Sequence, residues 1–164
     1  MDNIILIGMP GAGKSTVGVL LAKTLGYAFL DTDLVIQQRE GALLQLLVDS
    51  LGVEAFLDVE ADAICSVECR GTVIAPGGSA VCRERAMSHL RALGRIVYLH
   101  LPLEELERRL SNISTRGIAM APGETLADLF ACRAPLYRNY ADLTVDVGRQ
   151  SLEETVALVL RALR

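Results

Sequence analysis

Short apolar runs alternate with longer segments of helical periodicity along the whole chain of 164 residues. Five apolar runs, several of them rich in β-branched residues, predict strands. The predicted strands are 3–7, 27–30, 72–75, 95–101 and 143–146. Because strands that alternate with helices are joined by right-handed crossovers, the pattern predicts an α/β fold of three layers, with a five-stranded parallel sheet covered by helices on both faces.

The segments between the strands have apolar residues at helical spacing, and many of them stop at glycine. The predicted helices are 17–26, 34–40, 42–51, 53–69, 83–93, 103–110, 125–140 and 151–164. In the fourth of these, Phe56, Val59, Ala63 and Val67 fall on one face, which indicates core rather than a site. Pro135 is expected to break or kink the seventh.

The segment 111–124 separates two helices and contains few strongly ordering residues. Its length predicts a lid that closes over a site, and a merely disordered connection is the alternative.

Composition limits the classes of function. Hydrophobic residues make up 51% of the chain and aromatic residues only 4%, which predicts an aliphatic core. A net charge of −4 provides no electrostatic footprint for nucleic acid, and the opening apolar run is too short to span a membrane. We therefore expect one cytoplasmic domain over 1–164, working as a monomer without nucleic-acid or membrane partners.

The four cysteines, at positions 65, 69, 82 and 132, have neither metal-ligand spacing nor the density of a disulfide scaffold. They are expected to be reduced thiols. Cys65 and Cys69 would lie one helical turn apart, where two small apolar side chains are favoured over a metal pair.

Gly8 to Thr16 matches the phosphate-binding pattern G-x-x-x-x-G-K-[S/T]. Glycines let successive N–H groups turn toward an anion, Lys14 adds a positive charge, and the Ser15 hydroxyl is a ligand for Mg²⁺. A chance match in a glycine-containing turn is the alternative. A strand precedes this segment and a helix follows it, as the motif requires, so the context predicts a nucleotide phosphate site.

Asp31, Thr32 and Asp33 follow the second predicted strand, where a helix begins. One of these residues could serve only to cap the helix. A cap needs just one residue, so the other acid is left free. In a parallel sheet this turn lies at the edge where ligands bind. One aspartate could hold Mg²⁺ through water, and the other could accept a proton from a substrate hydroxyl. Gly77 and Gly78, after the third strand, allow a ligand to approach the backbone or form a plain turn.

Together these elements resemble the shikimate kinases, which are small P-loop kinases related to the nucleoside monophosphate kinases. The resemblance covers nearly the whole chain. The matching segments are 11–16, Asp31 to Asp33, Phe56 with Glu60, Gly77-Gly78, Thr115-Arg116 and Arg133 to Tyr137.

The resemblance implies the strand order 2-3-1-4-5, a substrate-binding helical region over about 32–70, and a lid over about 111–124 that closes on ATP. In the site, Asp33 would bind the hydroxyls of shikimate, and Arg133 its carboxylate. Asp31 would orient water on Mg²⁺, and Arg116 would reach the transferring phosphate. Gly77 and Gly78 would also contact the substrate. The ATP-binding residues would be Gly11, Ala12, Gly13, Lys14, Ser15, Thr16, Arg109, Arg116 and Gln150.

The sequence departs from the family pattern on the acceptor side. Leu57 stands where the usual G-E-x-x-F-R-x-x-E run has an arginine that also binds the carboxylate, and Ser79 replaces the third glycine. The lid has Thr-Arg-Gly-Ile at 115–118 in place of Arg-Pro-Leu-Leu. Losing one charge-assisted contact costs about 1.5–3 kcal/mol, or roughly 10- to 150-fold in affinity. Arg83 or Arg85 is a candidate replacement for the missing charge.

The sequence therefore predicts an ATP- and Mg²⁺-dependent kinase for a small hydroxylated acceptor, with Lys14, Asp33 and Arg116 as catalytic residues. Shikimate is the leading acceptor. A different hydroxy acid, amino alcohol or sugar acid is the first alternative, favoured by Leu57. The second is a nucleotide-binding regulator without transfer activity, against which the intact Asp31, Asp33 and Arg116 argue.

Overall fold

The computed structural model describes residues 2–111 and 117–164. Within these ranges, five parallel strands form one sheet in the order β2-β3-β1-β4-β5, which confirms the predicted fold class and order. The strands are β1 (Asn3–Ile7), β2 (Ala28–Asp31), β3 (Thr72–Ala75), β4 (Gly94–His100) and β5 (Leu143–Asp146).

The central strand of the sheet is β1. All five of its residues are buried, and Ile5 is paired with Ile74 on one side and Ile96 on the other. An apolar run without alternation is typical of a parallel strand covered on both faces. The loop that follows Ile7 therefore lies at the middle of the carboxyl edge of the sheet, where ligands bind in open α/β folds.

Helices connect the strands, and their ends are fixed by local sequence signals. Gly26 follows the first helix in the left-handed conformation, and Thr125 and Ser151 each form a capping box at the start of a helix. The described helices are α1 (Lys14–Leu25), α2 (Thr32–Glu40), α3 (Leu44–Leu51), α4 (Val53–Cys65), α5 (Glu84–Leu93), α6 (Leu103–Leu110), α7 (Leu126–Tyr140) and α8 (Leu152–Leu163), with a short 3₁₀ turn at Ala80–Cys82.

The prediction that the fourth helix extends to position 69 was wrong, and the seventh helix is not broken at Pro135. Because α4 ends at Cys65, Cys69 lies outside it and the two thiols are not one helical turn apart. The helix α7 continues through Pro135 without a break. The carbonyl that proline leaves without a donor belongs to Ala131, and both residues are exposed, so water can satisfy it. All four cysteines are free thiols, as predicted.

The buried apolar residues form two clusters. The larger surrounds the sheet, and the smaller holds α2, α3 and α4 together and includes Ala119 from the segment after α6. The members of the smaller cluster are Ile36, Leu47, Val48, Phe56, Leu57, Ala63 and Ala119. Among the described helices, none has the length and apolarity needed to cross a membrane.

Candidate active site

The loop between β1 and α1 has the backbone conformation that phosphate binding requires. Gly11 and Gly13 have φ values of 84° and 88°, in the left-handed region that strains other residues. Gly13 is the N-cap of α1, so the helix begins directly at Lys14 rather than at Val17. The first N–H groups of a helix lack intrahelical partners and carry its positive dipole end. The loop therefore presents these groups to an anion at the sheet edge.

The ammonium group of Lys14 lies against this loop. Its Nζ donates hydrogen bonds to the carbonyl oxygens of Gly8 and Met9, at 2.7 and 2.8 Å. Burial lowers the pKa of Lys14 to about 8, and the negative charge of Asp33 partly opposes this effect. An ammonium group has three N–H donors, so one remains for a phosphate oxygen.

The two aspartates at the end of β2 have different surroundings. Asp31 caps α2 by accepting a hydrogen bond from the backbone N–H of Asp33, and its other oxygen accepts one from Ser15 Oγ at 2.9 Å. Asp33 is only partly exposed, and burial together with the charge of Asp31 raises its pKa to about 6. The structure thus brings Ser15 and Asp31, the predicted metal ligands, into contact.

The turn after β3 is fixed by α7. Tyr137 is 1% exposed, and its hydroxyl donates a hydrogen bond to the carbonyl oxygen of Gly78 at 2.6 Å. One turn earlier on the same helix, Arg133 is 3% exposed and donates through Nη2 to the carbonyl oxygen of Ala119 at 2.8 Å. Arg133 and Tyr137 thus connect the turn at Gly78 to the segment that contains Ala119.

Gly77 lies between two carboxylates. A Cβ at this position would be 2.7 Å from Glu60 Oε2 and 3.1 Å from Asp33 Oδ1, so only glycine fits without displacing them. Ser79 Oγ donates a 2.6 Å hydrogen bond to Glu60 Oε1. Glu60 comes from the buried face of α4, which makes it part of the same site.

These groups surround one cavity of about 520 Å³. Of the residues predicted from the sequence, those that line it are Gly11, Gly13, Lys14, Ser15, Thr16, Asp31, Asp33, Gly77, Gly78, Arg109 and Arg133. Residues that the prediction did not assign to the site also line it: Pro10, Phe56, Glu60, Ala75, Pro76, Ser79, Gly117, Ile118 and Ala119. The signal available for Glu60 was its match, together with Phe56, to the family pattern, and its place as an acid on the buried face of a helix. Ala119 lies in the segment 111–124 that was predicted to be a lid, but nothing in its residue type or spacing indicated that it lines the cavity.

The remaining predicted ATP-binding residues lie beside this cavity or outside the described residues. Ala12 and Gln150 line a smaller adjoining cavity of about 210 Å³, together with Arg109. Arg109 Nη1 contacts the carbonyl oxygen of Gly11 at 3.3 Å, and its Nη2 contacts that of Gly148 at 3.0 Å, which connects the phosphate loop to the segment after β5. Arg116, with Thr115, lies outside the described residues.

The missing arginine is not replaced in the way the sequence suggested. Arg83 and Arg85 donate to the acidic outer face of α4, with Nη2 of Arg83 2.7 Å from Glu54 Oε2 and Nη1 of Arg85 2.7 Å from Asp62 Oδ1. Neither lines the cavity, so the expectation that one of them supplies the lost charge was wrong. The start of α5 directs both side chains along α4, whose acids recur at intervals of four residues, one helical turn apart.

Leu57, which stands in place of the arginine, is 5% exposed and packs in the smaller apolar cluster with Phe56 and Ala119. On the acceptor side, α4 and α7 contribute lining residues. Among the described residues that these two helices contribute, Arg133 carries the positive charge. Within residues 2–111 and 117–164, no group of three or more His, Cys, Asp or Glu side chains is arranged to hold a metal ion.

A parallel sheet in this order, with a phosphate loop after the central strand β1 and acids after the edge strand β2, defines the class of P-loop kinases. The family model for shikimate kinase matches residues 10–164. The chain belongs to the shikimate kinase family, whose members are ATP-dependent phosphotransferases that act on a hydroxyl group.

Relatives and solved structures agree with this assignment over the full length. The chain is 41% identical to the shikimate kinase of Pseudomonas aeruginosa strain LESB58, covering 100% of this chain and 97% of the relative. It is 42% identical to that of Pseudomonas paraeruginosa, with the same coverage of both chains. The structure is similar to that of a shikimate kinase from Acinetobacter baumannii in complex with shikimate, with a TM-score of 0.89 and 31% identity over 99% of this chain and 93% of the other.

Proposed function

We propose that this protein is a shikimate kinase, which transfers the γ-phosphoryl group of ATP to a hydroxyl of shikimate. The observation that carries the proposal is the single cavity that joins the phosphate loop to Asp33 and Arg133. A nucleotide-binding regulator needs only the first of these. A cavity with both a phosphate site and an acid near the acceptor supports phosphoryl transfer.

The ATP half consists of the phosphate loop and the adjoining small cavity. The N–H groups from Gly11 to Thr16 would bind the β- and γ-phosphates, and Lys14 would offset the charge that spreads over the moving phosphoryl group. Arg109 and Gln150 border the space next to the loop, which supports their role near the adenine. Arg116 is proposed as a second cation at the transferring phosphate.

The donor set fits Mg²⁺ bound together with ATP. Ser15 Oγ and Asp31 Oδ2 lie 2.9 Å apart at the mouth of the phosphate loop, and both are oxygen donors, which Mg²⁺ prefers. When bound, Mg²⁺ would stabilise the negative charge of the phosphates. Ser15 would bind the ion directly, and Asp31 would hold one of its waters, so that the aspartate that caps α2 also fixes the position of the metal.

The acceptor half consists of Asp33, Gly77, Gly78 and Arg133. Asp33, with its pKa at about 6, is ionised at neutral pH and would orient the attacking hydroxyl and accept its proton. The two glycines let the acceptor approach the backbone, and Arg133 would bind the carboxylate of shikimate.

The division of the chain follows from these roles. Residues 1–164 would form one kinase domain, with an acceptor-binding helical region over about 32–70 and a lid over about 111–124. The contact of Gly117 N–H with Gln45 Oε1 at 2.9 Å and the burial of Ala119 support a lid that closes against α3 and α4. We propose that the protein works as a monomer in the cytoplasm, where free thiols such as these four stay reduced.

The test measures ADP release by the purified protein with Mg-ATP and each of several acceptors: shikimate, gluconate and homoserine. Saturable turnover of shikimate at the lowest concentration is expected. Turnover of another acceptor alone would replace shikimate, and no turnover with any acceptor despite ATP binding would favour the regulator.

An Asp33→Asn variant tests the acceptor role. Loss of a general base lowers kcat by about 10²- to 10⁴-fold, whereas the affinity for ATP should change little. Asp2→Asn is the matched control, because Asp2 is exposed at the opposite edge of the sheet, beside the start of β1. Equal activity of the Asp33→Asn variant and the control would contradict the assignment of Asp33.

A further inference from the structure

Glu105 is a buried acid on α6 whose carboxylate is held by arginines. Its side chain is 8% exposed. Arg108 donates hydrogen bonds to it through Nε, at 3.0 Å, and through Nη2, and Arg109 donates through Nε at 3.2 Å. Residues three and four positions apart lie on the same face of a helix, so the sequence of α6 brings these groups together. A charge this buried is stable when it is paired, and Glu105 has partners on its own helix.

Arg109 crosses the gap between the phosphate loop and the segment after β5. Its Nη1 contacts the carbonyl oxygens of Gly11 and Ala12 at 3.3 and 3.5 Å, and its Nη2 contacts that of Gly148 at 3.0 Å. These three acceptors are neutral, so Glu105 is the charged acceptor among the described contacts of Arg109. Arg109 also lines both the main cavity and the smaller adjoining one. Its guanidinium thus lies where the two cavities meet.

The same acid also approaches the segment after β5. Arg149 Nε lies 3.9 Å from Glu105 Oε2, and the side chain of Arg149 is 83% exposed. An exposed ion pair at this distance contributes little. The firmer connection to the segment is the contact of Arg109 with Gly148, whose N–H is in turn bonded to the side chain of Gln150 in the smaller cavity. Glu105 therefore acts on this segment mainly through Arg109.

We propose that Glu105 is a positioning residue for the phosphate donor: its carboxylate fixes the guanidinium of Arg109 between the phosphate loop and the segment after β5, and this raises the affinity for ATP. A long side chain that is already ordered loses less conformational freedom when a ligand binds, so holding it in place strengthens binding. Glu105 lines neither cavity, so it acts through Arg109 and not on the nucleotide itself. This inference rests on the proposed function, in which Arg109 borders the nucleotide.

Positioning and simple electrostatics predict opposite effects of removing this acid. Because ATP is an anion, the loss of a nearby negative charge should by itself tighten ATP binding. The loss of a fixed Arg109 should weaken it, and the entropy of ordering one long side chain corresponds to a rise of roughly 3- to 10-fold in the dissociation constant. The hydrogen bonds from Arg108 and Arg109 lower the pKa of Glu105 to about 2, so the ratio between variant and wild type should not change across the neutral range.

The experiment measures the dissociation constant of Mg-ATP by calorimetry, without any acceptor, for the wild-type protein, Glu105→Ala and Glu104→Ala. Glu104→Ala is the matched control, because Glu104 is an exposed acid in the same first turn of α6 and its loss changes the charge equally. Glu105→Ala should bind ATP roughly 3- to 10-fold more weakly than the control, while KM for shikimate at saturating ATP stays unchanged. Glu105→Gln, which keeps the side-chain volume and one acceptor oxygen, should recover part of the loss.

A double-mutant cycle with Arg109→Ala separates positioning from a general effect on the fold. In the Arg109→Ala background, replacing Glu105 should have no further effect on ATP binding, because the group that it positions is gone. An equal loss in both backgrounds would overturn the inference, as would ATP binding by Glu105→Ala that is as tight as by the control. If Glu105→Ala does not fold by circular dichroism, the same comparisons with Glu105→Gln decide.

The proposed function can fail separately from this inference. A wild-type protein that binds Mg-ATP and phosphorylates no acceptor would refute the kinase assignment, and the ATP-binding comparison would still decide the role of Glu105. A wild-type protein that does not bind Mg-ATP would overturn both.

Discussion

Replacing Lys14 with methionine tests the phosphate loop most directly. The substitution keeps most of the apolar stem and removes the ammonium group. In the wild type, two of the three N–H donors are used by the carbonyl oxygens of Gly8 and Met9, and the third is free to follow the phosphoryl group.

The expected loss follows from this donor count. Removing one preorganised donor from a transition state costs about 2.7–4 kcal/mol, which lowers kcat by about 10²- to 10³-fold. The two carbonyl groups also lose a charged partner, which destabilises the fold by about 1–3 kcal/mol and lowers Tm by about 2–4 °C for each kcal/mol. The activity assay therefore belongs well below the Tm of the variant.

The assay is ADP release with saturating Mg-ATP and shikimate, together with a thermal unfolding curve. Lys23→Met is the matched control, because Lys23 is an exposed lysine in the last turn of the same helix. That control should cost about 0.3–1 kcal/mol of stability through the helix dipole and leave kcat unchanged. A Lys14→Met protein that is folded at the assay temperature and keeps kcat within threefold of the control would refute the role of Lys14.

Two further predictions concern the acceptor side. Gly77→Ala would place a methyl group 2.7 Å from Glu60 Oε2 and 3.1 Å from Asp33 Oδ1. KM for shikimate should therefore rise by roughly tenfold, while KM for ATP stays constant. An unchanged KM for shikimate would place the acceptor elsewhere. Arg83→Ala removes exposed ion pairs with Glu54 and Asp58. This change should lower the free energy of unfolding by at most about 1 kcal/mol and leave KM for shikimate unchanged. A tenfold rise in KM would show that Arg83 reaches the acceptor.

Much of the fold could be read from local sequence. The apolar run at 3–7 predicts a buried parallel strand, and the glycines before Lys14 predict the loop that follows it, because both signals arise from neighbouring residues. The strand order came from the resemblance to a family. The prediction of some helix ends was wrong because contacts with distant residues decide them. The helix α4 ends at Cys65, and the carbonyl oxygen of Cys69 accepts a hydrogen bond from the side chain of Asn3.

The sequence by itself determined the phosphate loop and the acids at the end of β2, because each is a short motif whose backbone conformation is set locally. Only the tertiary structure decided the acceptor side, where groups far apart in the chain meet. It joined Glu60 to Ser79 and Arg133 to Ala119, and it directed Arg83 away from the cavity toward α4. The reason is physical: the partner of a long polar side chain depends on which helices pack together, and residue spacing along the chain does not determine that.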